Sequence, residues 1–175
     1  MGKLAKIAAT VVVSLTAMAV LAQGAPVAPT VAGVPVGTGA GVHSPNSPFA
    51  PLQERADVVP WSVLTDVKTK VEKNRILPVF PANVLALHQK SQRVQGFMMP
   101  LEPGEKQKHF LISSVPLTCS FCVPGGPESM VEVKTKNPVK YTLEAVVVEG
   151  QFQVLKDDPY GLYYRVQDAV AVNGK

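Results

Sequence analysis

From Arg93 to the C-terminus the chain alternates apolar and polar residues with a period of two, and proline or glycine interrupts each run. The runs are Arg93–Pro100, His109–Ser113, Met130–Lys134, Leu143–Leu155 and Leu162–Val172. A period of two places alternate side chains on opposite faces of an extended chain, so each run reads as a strand with one face turned to a core. Gly96 and Gly150 fall inside runs, where the absence of a side chain suits a bulge or a sharp barrel corner. Strands do not alternate with helices here, which argues against a parallel sheet flanked by helices. The pair Asp157-Asp158 before Pro159-Tyr160-Gly161 reads as a turn between the last two strands rather than as a carboxylate site.

Two short helical turns precede the strands. Pro60 stands before Trp61-Ser62-Val63-Leu64, with the only tryptophan of the chain as a core anchor. After a turn around Asn74, Pro81 opens a second helix, with Val84, Leu87 and His88 on one face at three- and four-residue spacing. His88 reads as a satisfied histidine at the core edge. The whole pattern predicts a mainly β fold: a small five-stranded barrel of the OB-like (oligonucleotide/oligosaccharide-binding) shape, or a sandwich, with one or two short helices.

The front of the chain is of a different kind. Lys3 and Lys6 precede an uncharged Ala/Val-rich run, Ile7–Ala22, that ends in small residues. That order is the one export machinery reads, and the run is short for a bilayer core of roughly 20 apolar residues. Residues 1–22 are therefore expected to be a cleaved signal peptide, giving a soluble periplasmic protein with no membrane span after cleavage. No cysteine adjoins the junction, so a lipid anchor is not expected. Residues 23–57 are rich in Ala, Pro and Gly and read as a disordered linker, with His43 solvated inside it. Residues 58–175 form the single expected domain. Removal of the two N-terminal lysines lowers the net charge from +4 to +2. The remaining Lys and Arg are interspersed with Asp and Glu, which excludes the clustered basic surface that nucleic acid requires.

Both cysteines lie in one motif, Cys119-Ser120-Phe121-Cys122, followed by Val123-Pro124-Gly125-Gly126-Pro127. Three fates are open to them in an oxidising compartment. A disulfide would close a loop of about four residues and remove roughly 2 kcal/mol of unfolded-chain entropy. A redox-active dithiol would use one thiol to attack and its neighbour to resolve, but no helix starts after Cys122 to depress a thiol pKa. A metal site would use the two thiolates for zinc or copper(I), with His109 as the leading further ligand and Glu128, Met130, Met98 or Met99 as others. Against these stand plainer roles: Phe97 and Met99 alternate as core residues, and Glu128 is exposed. No phosphate loop, His-Glu-x-x-His or nucleophile elbow accompanies the motif, so a non-enzyme is expected.

The ordered elements Gly96-Phe97-Met98-Met99-Pro100-Leu101, His109-Phe110-Leu111-Ile112, Cys119–Cys122, Met130-Val131-Glu132-Val133 and Val146–Gly150 resemble an exported bacterial family, domain of unknown function 3299 (DUF3299). The resemblance spans roughly Trp61 to Val172. It implies an export signal and a cysteine pair before a proline-rich loop, and some members are encoded beside transport components linked with periplasmic zinc. It therefore raises metal handling by Cys119 and Cys122 above the redox reading, and implies a periplasmic or inner-membrane transport component as partner. Many relatives carry a histidine or glycine between the cysteines where this chain has Ser120-Phe121, which removes a candidate imidazole ligand and weakens any site built by the loop alone. The expectation is a periplasmic accessory protein binding zinc or copper through Cys119, Cys122 and His109, or supporting a metal-linked transport system. The alternatives are a thiol-disulfide protein of the envelope, and a barrel that binds peptide or glycan with a structural disulfide.

Overall fold

A computed structural model of the chain describes residues 29–172. The expected signal peptide and residues 23–28 of the expected linker lie outside the described residues. In chain order the elements are β1 (Thr30–Val31), β2 (Val34–Pro35), α1 (Trp61–Leu64), β3 (Lys68–Glu72), β4 (Arg75–Val79) and α2 (Ala82–Leu85). They are followed by β5 (Ser91–Pro100), β6 (Lys106–Ser113), a 3-10 turn (Pro127–Ser129), β7 (Met130–Lys140), β8 (Ala145–Val154) and β9 (Tyr164–Ala171).

The last five strands close into a barrel in the order β5-β6-β7-β9-β8. All neighbours are antiparallel except β7 and β9, which run parallel. The five period-two runs are thus the five barrel strands of the expected OB-like barrel, with β7 extending to Lys140 rather than ending at Lys134. Their inward residues meet in register: Val94 opposite Val148, Met98 opposite Ile112, Phe110 opposite Val133, and Phe152 opposite Val166. All eight are buried.

Both mid-strand glycines have a steric reason. A Cβ on Gly96 would sit 2.6 Å from the Ser113 carbonyl oxygen, so β5 and β6 approach each other only because that atom is missing. Gly150 lies opposite the register shift between β8 and β9, where Asp168 takes φ 51° and a Cβ on Gly150 would sit 2.5 Å from the Gln167 carbonyl oxygen. That shift is the bulge expected at a barrel corner.

The helices close one end of the barrel. Trp61 and Leu64 of α1 and Val84 of α2 are buried, and the Tyr164 hydroxyl donates to the Leu64 carbonyl at 2.6 Å. His88 accepts from the Val154 amide through Nδ1 at 3.0 Å, the satisfied edge role expected for it.

The segment read as a disordered linker is, over its described residues 29–57, a strap laid along the barrel. Val34 and Leu52 are as buried as core residues, and Phe49 packs edge-on against Phe97 with ring centroids 6.4 Å apart. The Gln95 side chain donates to the Gln53 carbonyl at 2.7 Å, and the Gln95 carbonyl accepts from Trp61 Nε1 at 2.9 Å. At the strap's end Asp57 bridges Arg55 and Arg93, and Arg93 continues to Glu149 on β8. Those two guanidiniums hold the Asp57 carboxyl well below the usual carboxylate range. His43 is buried rather than solvated, and burial pushes its pKa down, keeping the imidazole neutral. Composition misleads here because the strap pairs its backbone mainly through turns and single bridges, such as Val36 with His43, rather than through a periodic face.

A second departure is the hairpin β3–β4, whose turn residues Lys73 and Asn74 both have positive φ. All of β3 is exposed, so its residues carry no period-two burial signal. Among the described residues no helix is long and apolar enough to cross a membrane.

Replacing Gly96 with alanine forces β5 away from β6 in a packed barrel. Urea unfolding of Gly96→Ala should show a loss of about 1–3 kcal/mol, with the far-ultraviolet spectrum retained.

Candidate functional site

The loop between β6 and β7 carries the cysteine motif. Cys119 and Cys122 form a disulfide with Cα atoms 5.3 Å apart, and both are buried. Two tight turns shape the loop: the Cys119 amide donates to the Pro116 carbonyl, and the Cys122 amide to the Cys119 carbonyl. The flanking Phe121 and Val123 point out, 61% and 53% exposed. Glu128 is half-buried rather than exposed, because its carboxylate turns back to accept from the Gly126 amide at 3.0 Å.

The strap meets this loop directly. The Gly41 amide donates to the Val123 carbonyl at 2.8 Å, and Ala40 and Val123 form a parallel bridge. The Ser47 hydroxyl lies 3.5 Å from Cys119 Sγ. A disulfide sulfur carries no hydrogen, so the hydroxyl is the donor.

His109 is elsewhere. It lies four positions before Ser113, about 13 Å along β6 at the usual strand rise, on the outer face of the barrel. Its Nε2 meets Glu132 at 2.6 Å, and Glu132 is also bound by Arg165 and faced by Lys134 at 3.6 Å. Arg165 in turn bonds Asp158 at 3.2 Å. Burial alone would raise the Glu132 pKa, but His109, Arg165 and Lys134 bring it below its ordinary value. This cation-surrounded carboxylate was not legible in sequence: Glu132 and Arg165 are neighbours only through the parallel pairing of β7 and β9. His109, Cys119 and Cys122, expected together as metal ligands, are not brought together. As arranged they do not fit a zinc or copper(I) centre, since the sulfurs are bonded to each other and His109 is committed to Glu132. Met98 points into the barrel opposite Ile112, while Phe97 and Met99 share the other face of β5 as expected, Phe97 buried against the strap and Met99 half-buried. Among the described residues no set of three or more His, Cys, Asp and Glu gathers for a metal ion.

A larger feature was missed by sequence reading. A groove of about 1130 Å³ is lined by strap residues between Pro48 and Arg55, by Gln95 and Phe97 of β5, by Asn137–Lys140 and Thr142–Val147, and by Val170–Val172. It opens where the barrel wall splays. The parallel pairing of β7 with β9 ends at Thr135 and Ala169; beyond it Val139 and Lys140 pair only with β6, and Val170 and Ala171 only with β8. Leu143 and Val170, 52% and 43% exposed, give the groove apolar surface. The sequence signal for it is Asn137-Pro138 inside β7, because a strand tolerates proline only at an edge, its first residue or a bulge, and these two fall at the register shift between β7 and β6 beside the groove.

No family model matches the chain, and no curated protein matches it. Among solved structures it is similar to the crystal structure of a DUF3299 family protein from Pseudomonas aeruginosa PAO1. The two share 22% identity over 72% of this chain and 99% of that chain, with a TM-score of 0.46. The family named there is the one the strand and cysteine motifs resemble.

Glu132 yields a pH prediction. Its pKa is lowered by folding, so its contribution is complete above the ordinary value of about 4.5 and is lost as pH falls through the lowered folded value. Glu132→Gln should cost about 1–3 kcal/mol at neutral pH, and its stability should fall less steeply than wild type on acidification, as followed by urea midpoints between neutral pH and pH about 3.

Proposed function

We propose that the chain is an exported, non-enzymatic protein of the DUF3299 type that holds an extended polypeptide segment in the groove beside the strap. The observation that carries this reading is the divergence of β7 from β9. Two strand edges that part company leave main-chain donors and acceptors without a strand partner, and an added strand satisfies them while its side chains take the apolar surface alongside. Leu143 and Val170 supply that surface, and Lys140 and Glu144 frame it with opposite charges. The groove's size exceeds the roughly 300–1,000 Å³ typical of a small-molecule pocket, which suits an elongated ligand.

A glycan is less well served. Sugar sites stack rings on open aromatic faces, whereas Phe49 and Phe97, the aromatic pair of this groove, are engaged with each other. The Lys3/Lys6 leader and its apolar run support a periplasmic location. A polypeptide ligand there is a segment of an envelope partner, of which a transport component is one kind. In this reading Cys119–Cys122 is a staple on the strap's docking loop and not a ligand set for zinc or copper.

Panning a displayed library of random peptides of about 12 residues against the oxidised protein tests the proposal. Selected peptides should shift backbone amide resonances at 137–147 and 170–172, and Leu143→Glu with Val170→Glu should weaken them at least about tenfold. Failure to select any peptide, or shifts confined to another face, contradicts the reading.

A further inference from the structure

The strap that touches the disulfide is the same segment that lines the groove: Ser47 lies on Cys119 Sγ, and the next residues, Pro48 and Phe49, line the groove. We propose that Cys119–Cys122 is a redox latch on the groove, whose reduction frees the 36–47 arm of the strap and weakens polypeptide binding. The inference rests on the groove reading above for its effect on binding, though not for its effect on the strap.

The chemistry is thiol–disulfide exchange with an external dithiol. A thiolate of the reductant attacks Cys122 Sγ, since Cys122 is the less buried residue of the pair and Ser47 covers the sulfur of Cys119. The S–S bond breaks, Cys119 leaves as a thiolate and takes up a proton, and a mixed disulfide joins Cys122 to the reductant. The reductant's second thiol then attacks its own sulfur in that bond and closes its disulfide, releasing Cys122 as a thiol. The pair gains two electrons and two protons, and the external dithiol loses them.

Bonded sulfurs sit about 2 Å apart, and two thiols need nearly twice that in a place where both are buried, so the loop must expand. Expansion acts first on the residues beside Cys122. Val123 holds the Gly41 amide, and Gly125 is packed so closely that a Cβ on it would sit 3.2 Å from Gly41 Cα and 2.2 Å from Ser129 Oγ. The clasp between strap and loop therefore lies within three residues of the bond that breaks. The anchors farther along, Gln53 to Gln95 and Asp57 to Arg93, are on the barrel and keep the strap's far end in place. Pro48 and Phe49 directly follow the released arm, so they lose its support on that side and the groove loses the fixed position of part of its lining.

Hydrogen exchange of the full mature protein, oxidised or held in dithiothreitol, reads the latch without any ligand. The amides of Gly41 and His43, bonded to Val123 and Pro35, should exchange at least about tenfold faster after reduction, with Phe110 and Val133 unchanged. Cys119→Ser with Cys122→Ser should show the fast rates with or without dithiothreitol. Gly41→Ala, strained at φ +71°, should open the arm with the disulfide intact. A peptide selected on the oxidised protein should bind the reduced and Gly41→Ala forms at least about tenfold more weakly. Unchanged Gly41 and His43 rates in a protein whose mass shows the two added hydrogens overturn the latch, as does exchange that rises equally across barrel amides. If the arm opens but no peptide has been selected, the latch stands and the polypeptide reading falls.

Discussion

Five consecutive residues of β5, Val94 to Met98, are buried. A pleated strand alternates its side chains, so a run of this kind requires cover on both faces. The barrel interior covers Val94, Gly96 and Met98; something else must cover Gln95 and Phe97. The strap does so, with Phe49 against Phe97 and Gln53 against the Gln95 side chain, and Trp61 donates through its indole to the Gln95 main-chain carbonyl. A buried amide such as Gln95 is costly unless its polar atoms find partners, so the strap's backbone at Gln53 belongs to the core in the energetic sense. From this one requirement follow the strap's course past the cysteine loop and its place in the lining of the groove.

The electrostatic arrangement reinforces the same division. On the face formed by β6, β7 and β9, Glu132 is held among His109, Arg165 and Lys134, with Asp158 beyond. On the strap side, Asp57 joins Arg55 to Arg93 and Arg93 to Glu149. The first network ties the barrel strands to the β8–β9 turn, where Asp158 also accepts from the Tyr160 amide. The second ties strap to barrel at exposed positions, where solvent screens each pair; apolar burial of Val34 and Leu52 therefore does more to hold the strap than its ion pairs.

What was legible in the sequence is what repeats. Period-two runs marked all five barrel strands, Pro60 and Pro81 marked the helix starts, and Gly96 and Gly150 marked close contacts that the barrel makes. The strap was illegible because its burial is irregular: Val34, His43 and Leu52 are buried at spacings that match no element period. The signal that something covers β5 was nonetheless present in Val94-Gln95-Gly96-Phe97-Met98, a run with too little polarity for a strand facing water on one side. The β3–β4 hairpin escaped for the opposite reason, since its Lys-rich first strand buries nothing. The contact of His109 with Glu132 was illegible because the two lie 23 positions apart in the chain, and only strand register shows that they meet. The cysteine spacing left disulfide, dithiol and metal open together, and the burial of both sulfurs beneath the strap is tertiary information.

The claim on which the rest stands is that residues 29–57 belong to the folded barrel. Urea unfolding of two chains tests it directly, one beginning at Pro29 and one beginning at Val58. Loss of the strap removes Val34, Phe49 and Leu52 from the core, and a single large-to-small core change already costs about 2–5 kcal/mol. The shorter chain should be less stable by at least about 3 kcal/mol, with Trp61 fluorescence shifted toward that of a solvated indole. Equal midpoints and an unchanged Trp61 emission would show instead that the strap is the linker its composition suggests and that the barrel folds without it.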